Sequence, residues 1–170
     1  MDSESARMSS AAEARFRIDY PNSKPRVVKV VALDEASERV VKRVAQQGWQ
    51  RATFFTSIKF EGAPRNGESW SMQAWLSDLA GRTKALVEEV AAADLVVMIS
   101  SAGTSAQAAA VIGEACAVRK IMTMALIIGS EQRSDEELSK TLANLRPHAS
   151  MIVVASGDEY IEEMLAALRA

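Results

Sequence analysis

Apolar and polar positions along the chain alternate between two periods. "RVVKVVAL", beginning at Arg26, is a β-branched run that predicts a strand. After it, Ala36, Val40 and Val44 recur at helical spacing and the pattern stops at Gly48, which predicts a helix opening at about Asp34. "RATFFTSI" predicts a second strand and "KFEGAPRNGES" a polar loop. Met72, Trp75, Leu79, Leu86 and Val90 then predict one long helix. "DLVVMIS", "KIMTMALII" and "SMIVVAS" predict three further strands, with "SAQAAAVIGEACAV" as the helix between the first two of them. The almost unbroken apolar character of "KIMTMALII" suits burial on both faces of a sheet. "SDEE" (Ser134, Glu137) and "SGDE" (Ser156, Glu159) have the spacing of caps that open the last two helices.

Strand and helix in alternation are the signature of βαβ units, and right-handed crossovers make the simplest product a doubly wound sandwich. The predicted fold class is therefore α/β: a three-layer, Rossmann-like, mainly parallel sheet of five strands in a single domain over residues 25–170. Residues 1–24 are polar and lead into the turn signals Pro21 and Pro25. They predict a tail outside the core, with a short helix over residues 11–17.

A chain of 170 residues is long enough for one sizeable core. Its 20 basic and 22 acidic residues leave a net charge of -2, which offers no field for a nucleic-acid backbone or an anionic membrane. No apolar stretch reaches the roughly 18 residues of a membrane span, and "MDSESARMSS" lacks the order of a signal peptide, so a cytoplasmic protein is expected. One cysteine, Cys116, and one histidine, His148, exclude an internal disulfide and the usual soft-ligand metal clusters; no metal is expected. Cys116 reads as an inert thiol inside a helix, and His148, next to Pro147, as a surface or capping group.

Ligands of open parallel sheets bind beyond the carboxyl ends of the strands, where strand order reverses. That points to the loops at residues 33–37, 56–59, 100–105, 129–133 and 156–159, with the loops at Asp34 and Gly103 facing each other. The helix near Thr104 would present free N–H groups to an anion, with Ser100, Ser101, Gly103, Thr104 and Ser105 around it. Thr104 and Gln107 also have capping-box spacing, which would satisfy those N–H groups internally. Asp34, Glu35, Glu131 and Asp158 could meet around a hard cation, but each suits a cap, a first helical turn or a solvated loop equally well. Trp49 and Trp70 flank a helix end and a polar loop and are candidates for anchoring a partner.

Three segments in order resemble the nucleotide-binding domain of FtsZ, the bacterial cell-division homologue of tubulin, over about residues 26–161. "DLVVMISSAGTSAQAAAVIGEA" is similar to that family's strand, glycine-rich GGGTGTG loop and following helix, keeping Asp94, Gly103, Thr104, Ala108, Ala109, Val111 and Ile112 in register. "LRPHASMIVVASGDEYI" and "VVKVVALDEASERVVKRVAQQGWQRATFF" resemble its later and first strand–turn–helix units. The resemblance implies the doubly wound fold and a mononucleotide pocket between the loops at Asp34 and Gly103.

The departures imply that this pocket has lost its chemistry. Asp34, Glu35, Ala36, Ser37, Glu38 and Arg39 stand where the family has glycines, and Ser105, Ala106 and Gln107 where its second loop continues. A carboxylate about 5 Å from a phosphate charge costs about 3 kcal/mol at an effective dielectric near 20. The family's central helix and catalytic acidic loop have no counterpart before Ala170. The sequence thus predicts a non-catalytic binding or assembly module, a homo-oligomer or partner of another protein, with no cofactor, no GTPase activity and GTP or GDP disfavoured. The alternative is a small-molecule or nucleotide-binding protein or enzyme. It would hold a phosphate or carboxylate in the loop at residues 100–105, with Asp34, Glu35, Ser37 or Asp158 as further contacts.

Overall fold

A computed structural model describes residues 24–57, 75–78, 83–157 and 159–170. The tail over residues 1–23, the polar loop at residues 59–69, Trp70 and Asp158 lie outside the described residues. Among the described residues, seven strands form one sheet in the order β4-β3-β2-β1-β5-β6-β7. They are β1 (Val28–Ala32), β2 (Ala52–Thr56), β3 (Trp75–Asp78), β4 (Thr83–Ala85), β5 (Leu95–Ser101), β6 (Met122–Ile128) and β7 (Met151–Val154). The five strands expected from the sequence, β1, β2, β5, β6 and β7, run parallel. β3 and β4 add an antiparallel pair beyond β2. Strand order reverses at β1, which pairs with β2 on one side and β5 on the other.

Helices α1 (Glu35–Ala45), α2 (Leu86–Ala91), α3 (Ala108–Val118), α4 (Asp135–Leu145) and α5 (Glu159–Ala167) cover the sheet. On one face Val41 and Val44 of α1 and Ile161 and Leu165 of α5 pack against Val30, Val97 and Leu126. On the other, Val90 of α2, Ile112 and Cys116 of α3 and Leu145 of α4 pack against Val31, Met98 and Ile127. This is a three-layer Rossmann-like sandwich. The central strands are apolar on both sides because both sides are covered, as β5 shows, with its first six residues all buried.

The long helix predicted from Met72 to Val90 does not form. Trp75–Asp78 and Thr83–Ala85 are extended and paired, and only Leu86–Ala91 is helical. Leu86 and Val90 do sit one helical turn apart and both are buried, so the spacing was correct for that one turn. Upstream of it, pairing with β2 overrides a helical spacing that Gly81 already interrupts. Lys29 on β1 ties α2 down: its ammonium lies 2.8 Å from Glu89 and sits over the Phe55 ring.

Candidate functional site

The turn between β1 and α1 is built on one carboxylate. Asp34 is the N-cap of α1: its Oδ1 accepts from the Ser37 backbone N–H at 2.9 Å, while Ser37 Oγ accepts from the Asp34 N–H at 3.1 Å. The same carboxylate reaches across the strand reversal. Oδ2 accepts from the Ser101 N–H and Oδ1 from the Ser101 hydroxyl, both at 2.8 Å. The loops at Asp34 and Ser101 are therefore joined directly, and the negative charge expected to oppose an anion is absorbed by protein donors. Glu35 is exposed on the first turn of α1, and Ser37 is buried within the cap.

The loop at residues 100–105 is closed in the same way. Buried Ser100 Oγ lies 2.7 Å from Thr104 Oγ1, and the Thr104 hydroxyl donates to the Ser101 carbonyl at 2.9 Å. Helix α4 covers the turn: the Gly103 N–H donates to Thr141 Oγ1, whose hydroxyl lies within bonding distance of the Thr104 carbonyl, and Asn144 donates to the Ser105 carbonyl. Gly103 adopts φ 91°, and a Cβ there would lie 3.3 Å from Glu137 Oε1. The expected Thr104–Gln107 capping box does not form. α3 begins at Ala108 with Gln107 as an N-cap that makes no side-chain bond, because Ala106 at φ 46° turns the chain one residue beyond Ser105. The hydroxyls of Ser100, Ser101 and Thr104 are thus each engaged by protein partners.

The open space lies beside these loops, on the face of the sheet that carries α1. A cleft of about 530 Å³ runs along the carboxyl ends of β5, β6 and β7. Arg39 and Arg43 enter it from successive turns of α1 and Arg133 from the loop after β6, with Ser101, Gly129 and Gly157 on its floor. No Asp or Glu is among its described lining residues. Gly129 takes φ 70°, which lets the chain leave β6 sharply and keeps a side chain out of the cleft. Arg133 Nη1 is 3.1 Å from Glu137 Oε1, an exposed pair on neighbouring turns. The Glu137 carboxyl is held below its ordinary range first by the Ser134 backbone N–H of the α4 cap and then by the Arg133 charge.

Sequence reasoning missed these arginines, although Arg39 and Arg43 are four apart on the helix after the first strand and Arg133 closes a loop already singled out. The remaining candidates lie elsewhere. Trp49 is half-buried against the core, with its indole N–H donating to the Val44 carbonyl at 2.9 Å at the end of α1. Glu131 is exposed in the turn Ser130–Gln132. Cys116 is fully buried, and burial pushes its thiol up to about 12. His148 packs against Gly113 beside a smaller cavity of about 220 Å³ at the amino ends of β6 and β7, remote from the strand ends that form the cleft. Among the described residues no three His, Cys, Asp or Glu side chains gather as a metal site, and no helix is long and apolar enough to cross a membrane.

No family model matches the sequence, and no curated protein matches it. Among solved structures, translation elongation factor SelB from Methanococcus maripaludis in complex with the GTP analogue GPPNHP is similar at a TM-score of 0.49 and 12% identity, covering 88% of this chain and 34% of that one. Its apo form is similar at a TM-score of 0.41 and 12% identity, covering 86% and 37%. The chain spans about a third of the length of these SelB chains. The resemblance to FtsZ is thereby corrected: no family model supports it, and these structural neighbours are SelB chains. The three segments that carried it are strand–turn–helix units, and any doubly wound sheet requires such units in that order.

Proposed function

We propose that this domain binds a small anionic ligand, bearing phosphate or carboxylate, in the cleft at the carboxyl ends of β5, β6 and β7. One observation carries the proposal: three guanidinium-bearing side chains, Arg39, Arg43 and Arg133, line a single concave site. The position supports it, since these strand ends are where doubly wound sheets take ligands. So does the size, which falls within the range of small-molecule pockets. Glu137 competes for Arg133, so the ligand's charge must displace or share that pair.

Calorimetric titration with inorganic phosphate, ATP, GTP and citrate, at fixed ionic strength, tests the proposal. At least one of these anions is expected to bind. Arg39→Glu is expected to weaken that binding about 10- to 100-fold, the equivalent of one charge-assisted contact. Thr104→Ala, in the closed neighbouring loop, is expected to leave affinity unchanged. No binding by any of the four at millimolar concentration, or an Arg39→Glu protein that binds as tightly as the original, overturns it.

A further inference from the structure

The two ends of the sheet are finished differently. At one end β4 is three residues long and carries the exposed Lys84, two of the devices that keep an edge from pairing with another chain. At the other end β7 pairs only with β6 among the described residues. Its stretch "SMIVVAS", residues 150–156, contains no charge, no proline and no glycine. Met151 is 56% exposed and Val154 44% exposed, unusual values for large apolar side chains within a strand.

An extended, uncharged strand is complementary to such an edge, and β7 itself meets that description. The Ala155 N–H donates inward to the Ile127 carbonyl at 2.9 Å. In a parallel ladder N–H and C=O groups alternate in direction, so those of Val153 also point inward and those of Ile152 and Val154 point out. The stretch reads nearly alike in both directions about Val153, with Ser150 matching Ser156 and Ile152 matching Val154. A two-fold axis at Val153 therefore places the outward groups of Ile152 against those of Val154 in a second copy, which forms hydrogen-bonded antiparallel pairs. The same axis sets β-branched side chains opposite each other on one face and covers Val154, with no charge brought against a like charge.

We propose that β7 is a homodimer interface, joining the sheets of two copies antiparallel through residues 151–155. This is independent of the anion cleft. Light scattering after size exclusion at about 100 µM, well above a micromolar dissociation constant, is expected to give twice the chain mass. Val154→Lys is expected to give a monomer with unchanged far-ultraviolet circular dichroism, whereas Val118→Lys, on an exposed position of α3, is expected to remain dimeric. Val153→Cys supplies a readout that does not depend on tolerating a lysine. The two Val153 residues would form a non-hydrogen-bonded pair with Cα atoms about 4.5 Å apart, within disulfide reach. Diamide should therefore link them into a covalent dimer, while Val154→Cys should not link. A monomer at this concentration, a Val154→Lys protein that is folded and still dimeric, or failure of Val153→Cys to cross-link overturns the proposal.

Discussion

Asp34 does the work of two residues, because its carboxylate caps α1 and also holds the end of β5 through the Ser101 N–H and hydroxyl. Asp34→Ala removes a cap worth about 1 kcal/mol and charge-assisted bonds worth about 2 kcal/mol, leaving the Ser101 N–H without its partner. A loss of about 3 kcal/mol in urea unfolding is expected, with Asp34→Asn recovering about half; a loss under about 1 kcal/mol would show that the link carries nothing. The sequence disclosed the cap, since Asp before a periodic apolar run is a local signal. The bond to Ser101 spans 67 positions and follows only from placing β1 beside β5. Cys116 was legible for the same local reason, lying among small apolar residues inside a helix. With its thiol pushed up to about 12, its reaction with iodoacetamide near pH 8 is expected to run about a thousandfold slower in the native state than in urea. Comparable rates in the two states would mean that α3 opens.

Elements whose identity depends on short-range pattern were readable, and those fixed by a distant partner were not. The Ser134 and Glu137 capping box formed as its spacing requires, whereas Thr104 and Gln107 have similar spacing but an intervening left-handed Ala106 takes the chain out of helix. The Glu137 carboxyl titrates below its unfolded value, so the stability it lends is complete above about pH 4.3 and is lost as pH falls through the lower folded value. The difference in unfolding midpoint between the original protein and Glu137→Gln should accordingly be present near neutrality and shrink in acid; a difference that grows in acid would contradict the cap. On α3, Gly113 looks like a site where alanine should help, by about 0.5–1 kcal/mol of helix propensity. A Cβ there would lie 2.7 Å from His148 Cβ and 3.1 Å from its backbone, in the turn Arg146–His148 that leads into β7. Overpacking of that kind costs about 1–3 kcal/mol, so Gly113→Ala should lower thermal stability, and an increase would mean that the turn is free to move away.

The whole sheet was legible to the extent that its strands are parallel and buried. "VKVVA", "LVVMISS" and "MTMALII" announce themselves by apolar runs that only two-sided cover explains. The pair β3–β4 gave no such signal, because an edge strand requires no continuous apolar run, and the arginine cleft gave none because only the fold brings Arg133, after β6, to the face of α1 that carries Arg39 and Arg43. The same asymmetry should govern dynamics. Amide exchange of Val30, Val97 and Leu126, fully buried on the central strands beneath α1 and α5, requires disrupting the sheet between two packed layers, so these three are expected to exchange together with the free energy of global unfolding. Among the described residues β4 is bonded on one side only, to β3, and none of its residues belongs to either core cluster. Amides of residues 83–85 are therefore expected to exchange at least tenfold faster and to depend little on urea, the mark of local opening. If residues 83–85 instead shared the slow, urea-dependent exchange of Val97, the antiparallel pair would belong to the cooperative unit, and the centre of the fold would lie nearer β2 than β5.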